Sequence, residues 1–364
     1  MKNPTIYSLQ ALRGIAAIAV MLLHHQGFTG LSSDSLAGKL VAGGSWGVDL
    51  FFIISGFIAA YTIPRESSGL SAGVDYFVNR LVRIVPLYYL MTFSSFGADQ
   101  EAWIASIKSL MFIPIGGVDD GGNSLGPIYG GATIGQGWTL NYEMYFYMIA
   151  ALSFVFGARK WFATITFIIM VVLIPLVLFG IPDQYLRYGF SMDSAYLSMV
   201  THPIIFEFIA GAALGLLYPL LSDRLNIFSL ILSILGVAIF ICNAITHYWP
   251  GHGVLGYGFT SFLLVLSVIQ LERAGYVIKS RILLYLGGVS YSVYLLHMNI
   301  KNIFIKVFKH SGVDMSEYGL LLLFFSILTT MIIAHYTHKY IEVNFTKYLK
   351  NKWVLFKTVR ANQI

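Results

Sequence analysis

The stretch Leu9-Gln10-Ala11-Leu12-Arg13-Gly14-Ile15-Ala16-Ala17-Ile18-Ala19-Val20-Met21-Leu22-Leu23-His24-His25 decides how the chain is read. It is apolar over about the 20 residues that cross a bilayer core. Yet Arg13 sits near one end of it and a histidine pair near the other. A charge inside a membrane helix costs roughly 2.5–3.5 kcal/mol on insertion scales, so such groups face the protein interior and carry function. Eleven positions separate Arg13 from His24. At about 100° and 1.5 Å per residue, the two fall within roughly 20° of one helix face and about 16 Å apart along the axis. His25 points about 100° further round. One face of one helix thus presents a cation at one depth and an imidazole three turns away.

The rest of the chain has the same character. Of 364 residues 57% are hydrophobic and only 11% charged, with mean hydropathy +0.73, which excludes a pair of ordinary soluble domains. Apolar runs of spanning length recur near 8–27, 46–64, 82–97, 138–156, 161–181, 203–221, 226–248, 253–271, 282–308 and 318–341. The fold class is therefore all-α, a polytopic membrane protein of about ten transmembrane helices. A β-barrel would show short alternating segments instead. Residues 110–115 read as a re-entrant or interfacial piece. The first run is too long and too charged for a cleavable signal, and no small-residue cleavage site follows it. The net charge of +6 needs no nucleic acid, because positive-inside loops account for it. The single cysteine, Cys242, excludes an intrachain disulfide and a cysteine metal site. No HExxH-like spacing supports a histidine–carboxylate metal site, so no metal is expected.

Charge orients the bundle. With the N-terminus inside, Arg65, Arg80, Arg83, Arg159, Lys160, Arg224, Arg273, Lys279, Arg281 and the basic residues of 347–360 are cytoplasmic. The opposite side keeps Lys39, Lys108, Arg187, Lys306 and Lys309, beside Asp99, Glu101, Asp119 and Asp120. That asymmetry follows the positive-inside rule, and an even number of spans places both termini in the cytoplasm. Trp46, Trp138 and Trp249 fall at outer ends, as an aromatic belt requires. The expected division is a membrane domain over 1–341 and a basic cytoplasmic tail over 342–364. The outer loop 98–137, with its Gly-Gly-Val-Asp-Asp-Gly-Gly-Asn and Tyr-Gly-Gly-Ala stretches, reads as a flexible connection or as a lid over an acceptor.

Depth sorts the intramembrane polar groups into two sets. His24, Asp49, Glu143 and Glu207 fall toward the outer side; Arg13, Arg80 and Arg83 fall toward the cytoplasm, the last two sharing a helix face at i, i+3. Structural readings stand beside the functional ones. Arg80 and Arg83 also suit snorkelling anchors, and Glu207 suits a hydrogen-bonding role beside a Gly211-xxx-Gly215 packing face. His297 reads either as a satisfied buried histidine or as a catalytic one. His247, His252 and His310 look interfacial, and His335 and His338 pair with Lys339 and Glu342 at helical spacing.

Five motifs in order then point one way. Leu12-Arg13-Gly14-Ile15-Ala16-Ala17 runs through to His24; Gly47-Val48-Asp49-Leu50-Phe51-Phe52-Ile53-Ile54-Ser55-Gly56-Phe57 follows. Next come Arg80-Leu81-Val82-Arg83-Ile84-Val85-Pro86 and Trp138-Thr139-Leu140-Asn141-Tyr142-Glu143-Met144-Tyr145-Phe146-Tyr147. Ser290-Tyr291-Ser292-Val293-Tyr294-Leu295-Leu296-His297 is the last. Together they resemble the membrane-bound acyltransferase family 3, bacterial O-acyltransferases that modify surface polysaccharides, and the likeness covers essentially the whole chain. Two positions depart from its pattern: Met144 stands where a second acidic residue is often found, and Asn344 where proline is common. No hydrolase-like domain follows the membrane part, so the final hand-off is expected from the membrane domain or from another protein.

The resemblance implies an acyl-CoA donor, most often acetyl-CoA, and a hydroxyl acceptor on a glycan such as O-antigen, exopolysaccharide or a lipid-linked oligosaccharide, at the bacterial inner membrane. Hydroxyl attack on a thioester needs a base near neutral pKa, which is histidine's range. His24 is assigned as that base or as an acyl relay, with Glu143 or Asp49 orienting the ring. Arg13, Arg80 and Arg83 are assigned to the CoA phosphates, for which guanidinium forks are suited. Trp138, Tyr142, Ser292 and His297 are assigned as substrate contacts. The bilayer is the remaining partner, and a homo-oligomer stays open. A transporter or flippase of a lipid-linked glycan is the rival class, since intramembrane ionisable groups mark transport paths too; the inverted repeats such folds show are not visible in this sequence.

Overall fold

The computed structural model describes residues 4–97, 99–116, 130–183, 185–312 and 317–361. Among these the chain is helical, with no strand beyond one isolated antiparallel bridge between Ile115 and Gly131. The helices are α1 (Tyr7–His24), α2 (Leu36–Ala42), α3 (Trp46–Tyr61), α4 (Gly69–Phe93), α5 (Gln100–Leu110), α6 (Trp138–Leu152), α7 (Lys160–Phe179) and α8 (Tyr185–Tyr188). They continue with α9 (Ala195–Val200), α10 (Phe206–Leu217), α11 (Ile227–Thr246), α12 (Tyr257–Arg273), α13 (Arg281–His310), α14 (Gly319–Thr337) and α15 (Thr346–Ala361). Six helical stretches among the described residues are long and apolar enough to cross a membrane: Tyr7–His24, Leu36–Tyr61, Gly135–Phe179, Pro203–Leu220, Ile227–Thr246 and Gly319–Arg360. The first part of the Gly135–Phe179 stretch is parted from the second at Gly157, whose φ of 62° interrupts the helix.

Helix α1 packs centrally, against α13 and α3. No side chain of its own caps its start. Instead Glu272, at the end of α12, accepts from the backbone N–H of Tyr7 (2.8 Å) and Ser8 (2.6 Å). A carboxylate there satisfies two of the orphan donors that every helix N-terminus leaves and opposes the positive end of the dipole. The contact with α13 is set by two glycines. A Cβ on Gly14 would lie 2.7 Å from the Gly287 nitrogen, and one on Gly287 would lie 1.9 Å from the Gln10 carbonyl oxygen. Backbones this close are the packing mode of membrane helices, where association rests on van der Waals contact rather than on expelled water. The α3–α10 seam is built the same way, with Gly211 against the Ile53 carbonyl.

Three local differences from the sequence reading matter for the site. The third apolar run, expected to begin near residue 82, is only the end of α4, which starts at Gly69 and so carries Arg80 and Arg83 inside the helix. Its first half is polar enough to escape a hydropathy reading. The loop 98–137 contains α5, capped by Asp99, whose side chain accepts from the Ala102 N–H; Ser106 and Ser109 of this helix are buried against Thr133. Most of the glycine-rich stretch, including Asp119 and Asp120, lies outside the described residues. Past α14 the chain continues through a π-helical turn (His338–Phe345) into α15. Trp353 and Lys357 of α15 tie it to Asp75 of α4.

Candidate active site

His24 closes α1, and its ring meets a second ring. Its Nδ1 lies 2.9 Å from the Val20 carbonyl oxygen and 3.0 Å from Nε2 of His297 on α13. The ring centroids are 5.0 Å apart. Hydrogen-bond partners fix the tautomers. His297 is fully buried, and its Nδ1 faces the carbonyls of Tyr294 (2.7 Å) and Val293 (3.2 Å), so that nitrogen carries the proton and Nε2 accepts. His24 Nδ1 then faces two acceptors and must be the donor. The basic nitrogen of His24 is therefore Nε2. Lys301 donates to the His24 carbonyl at 2.8 Å, one turn beyond His297. The neighbouring His25 is built differently: fully buried, it uses Nδ1 on the Met21 carbonyl (2.7 Å) and Nε2 on Ser326 (2.8 Å).

Below this pair, toward the Tyr7 end, α1, α3, α4, α6 and α13 enclose a narrow cavity of about 70 Å³ whose walls include Arg13, Arg80, Arg83 and Glu143. Glu143 Oε1 accepts from Ser55 (3.0 Å) and Tyr147 (2.6 Å). The Arg80 guanidinium lies 4.9 Å from the Tyr147 ring centroid and 5.4 Å from that of Tyr76, the geometry of a cation on aromatic faces. A second cavity of about 420 Å³ shares Arg13, Ile58 and Arg83 with the first and extends to Lys350 at the Tyr7 end, with Glu342 and His338 in its wall. The two stand end to end. Phe51 and Tyr294, both in the wall of the first cavity, pack edge to face with centroids 5.5 Å apart. Tyr294 is also 6.0 Å from the His297 ring and bonds through its hydroxyl to Thr139 and the Gln136 carbonyl.

The acids do not gather round His24. Asp49 is fully buried, and its Oδ2 takes the Nδ1 of His252 at 2.7 Å while Oδ1 accepts from the Gly253 N–H at 3.0 Å. The buried Glu207 carboxyl stands against Asp49 and against Gly258. The set expected on the outer side therefore divides in three: His24 with His297, Glu143 with the arginines, and Asp49 and Glu207 with His252. The hydrogen bonds of Glu143 and Asp49 go to groups other than His24, which corrects the expectation that one of them orients that ring. Sequence yields depth along a helix but not the direction a side chain takes around the bundle.

The remaining expected residues are spread. Trp138 lies 5.6 Å from the His252 ring and 6.0 Å from the buried Tyr142, which in turn lies 6.3 Å from His202. Ser292 donates both its backbone N–H and its hydroxyl to Glu342, away from His297 on the same helix. No group of three or more His, Cys, Asp or Glu side chains among the described residues is arranged to hold a metal. His252, Lys301 and Glu342 were missed as site residues. His252 had a signal, its place between Gly251 and Gly253, both at positive φ, in a turn that delivers the ring to Asp49.

A family model described as an acyltransferase domain matches residues 6–336. The exopolysaccharide production protein ExoZ of Rhizobium meliloti (strain 1021) is 32% identical over 272 residues, covering 70% of this chain and 75% of that protein. The putative peptidoglycan O-acetyltransferase YrhL of Bacillus subtilis (strain 168) is 25% identical over 323 residues, 80% of this chain but only 48% of its own length. No solved structure matches significantly.

Proposed function

The chain belongs to the acyltransferase family whose model covers residues 6–336, and on that premise we propose that it moves an acyl group, most simply acetyl, from cytoplasmic acyl-CoA to a hydroxyl of a surface polysaccharide. The carrying observation is the line of cavities that runs from Lys350 past Arg13, Arg80 and Arg83 to Tyr294, whose ring packs on His297, the partner of His24. The family and the names of its two relatives support a polysaccharide acceptor. The recurrent apolar runs support about ten spans, the charge asymmetry of the loops supports both termini on the cytoplasmic side, and the bacterial relatives support a bacterial inner membrane.

In this reading the three arginines hold the CoA phosphates with charge-assisted hydrogen bonds. The pantetheine arm runs along the roughly 16 Å of α1 that part Arg13 from His24. Phe51 and Tyr294 separate to admit the thioester. His24 Nε2 takes the acceptor's proton as its oxygen bonds to the acyl carbon; the carbon–sulfur bond breaks, and the proton passes to the departing CoA thiolate. His297 holds the His24 tautomer. Glu143 orders the cavity through Ser55 and Tyr147 and offsets part of the arginine charge. Asp49, Trp138 and Tyr142 belong to the acceptor side, and Ser292, bonded to Glu342, to the donor side. The test is incubation of the purified full chain with acetyl-CoA labelled in the acetyl group and the deacylated polysaccharide of the producing strain. Label moves to the polysaccharide with the parent chain, and His24→Ala loses about 100-fold or more, the usual contribution of a general base. A His24→Ala chain of undiminished activity refutes the assignment.

A further inference from the structure

The narrow cavity has two unlike ends. Its arginines stand toward the Tyr7 end: Arg13 and Arg83 are shared with the second cavity, and Arg80 rests on Tyr147. Tyr147 is eight positions along α6 from Thr139, or about 12 Å. The far end is walled by Val48, Phe51, Phe52, Thr139, Leu140 and Tyr294, and the Tyr294 ring there packs on His297. Its two hydroxyls are already committed. Thr139 and Tyr294 lie 3.0 Å apart, and each donates to the Gln136 carbonyl oxygen, at 3.0 and 3.2 Å. This end therefore offers an occupant apolar surface, and no cation stands there among the described residues of the wall.

The walls of this end are also fixed. Helix α3 cannot retreat, because α10 is packed against its backbone: a Cβ on Gly56 would lie 2.0 Å from the Phe208 carbonyl oxygen. Phe52 stacks on Phe208 with centroids 4.5 Å apart, and Phe208 on Phe146 at 5.0 Å, which joins α3, α10 and α6 in one aromatic column. The bonds among Thr139, Tyr294 and Gln136 tie the start of α6 to α13. Lengthening the cavity outward would break these contacts, and close-packed interiors resist the addition of even one methylene.

We propose that this end is the acyl pocket, and that Val48 and Leu140, both buried, restrict the donor to short uncharged acyl groups. The inference rests on the donor path of the proposed function, in which the thioester arrives from the arginines with its acyl group foremost. The acyl group then meets this end before Phe51 and Tyr294 separate. Each further methylene has to be accommodated against Val48 or Leu140, and an apolar pocket discriminates by about tenfold or more per methylene. A dicarboxylic acyl group such as succinyl would place its free carboxylate among these side chains with no donor left to receive it, the cost of an unpaired buried charge.

The test is competition between labelled donors, with the full chain in nanodiscs and the deacylated polysaccharide of the producing strain as acceptor. Acetyl-CoA is paired in turn with propionyl-, butyryl- and succinyl-CoA, and the ratio of labels incorporated reads the ratio of kcat/KM. The parent chain favours acetyl over propionyl by about tenfold or more, favours it over butyryl by a larger factor, and transfers no succinyl. Val48→Ala and Leu140→Ala each raise the butyryl-to-acetyl ratio by about tenfold or more. That ratio is independent of how much of a variant folds, and either variant decides the matter if the other does not fold. Val48→Ala removes bulk without adding a cation, so succinyl stays excluded; succinyl used as readily as butyryl overturns the exclusion of charged groups. Butyryl used as readily as acetyl by the parent chain, or a parental ratio in a folded variant, overturns the inference and leaves the proposed function standing. Transfer from none of the four donors overturns the proposed function, and the inference with it.

Discussion

Replacing His297 with alanine removes one of the two acceptors that face the Nδ1–H of His24 and leaves the other, the Val20 carbonyl, in place. The tautomer of His24 is thus retained, but the ring loses a partner that limits its rotation. A net hydrogen bond of this kind contributes about 0.5–1.5 kcal/mol. At about 1.36 kcal/mol per factor of ten in rate, the expected fall in kcat is about two- to tenfold. Loss of a general base itself costs about 10²–10⁴, so the two variants are separable by at least an order of magnitude. Acetyl transfer at saturating donor, on chains whose detergent melting temperature is matched, reads the difference. His297→Gln places an amide oxygen near the position of Nε2 and is expected to recover most of the loss. If His297→Ala is as inactive as His24→Ala, His297 itself is the base. If His297→Gln is no better than His297→Ala, the hydrogen bond is not what positions the ring.

Substituting both Arg80 and Arg83 by alanine removes charge-assisted contacts worth about 1.5–3 kcal/mol each. Calorimetry with CoA then shows weakening of about tenfold or more per arginine, and unchanged affinity assigns both to structure or lipid. Gly287→Ala drives a methyl to 1.9 Å from the Gln10 carbonyl, overpacking that costs about 1–3 kcal/mol and lowers the melting temperature; a variant as stable as the parent refutes the close α1–α13 contact. Glu272→Ala uncaps the start of α1 and costs about 0.5–2 kcal/mol, the range for a lost N-cap, read as a lower melting temperature with acetyl transfer per folded molecule retained.

Much of the helical architecture was legible because apolar runs of spanning length leave few alternatives. The start of α4 was not, because Asp75, Asn79, Arg80 and Arg83 pull the local hydropathy down although the helix continues through them. Helix α5 was hidden by the glycine-rich sequence that follows it. In the site, the face shared by Arg13 and His24 was legible from helix period alone. The partner of His24 was not. His297 lies 273 residues away, and two polar residues at equal depth on different helices meet only if both turn toward the same seam. Asp49 turns toward the His252 loop, and Glu143 toward α3 and α4.

The register between α1 and α13 explains why the seam holds a histidine pair. Gly14 meets Gly287 at one level, and His24 meets His297 at another. Ten positions separate the glycine from the histidine on each helix. The helices run parallel, so an equal count advances both by about 15 Å. The glycine contact admits no larger side chain on either helix, and sliding one helix by a turn would bring a Cβ into the opposing backbone. The Gln10 side chain, bonded to the Leu284 carbonyl at 2.8 Å, pins the same register one turn nearer the start of α1. Arg13 immediately precedes the glycine, so the close contact also sets the depth of the guanidinium in the cavity wall. The glycine contact therefore fixes two levels of the seam at once, that of the Arg13 guanidinium in the cavity wall and that of the His24 ring against His297.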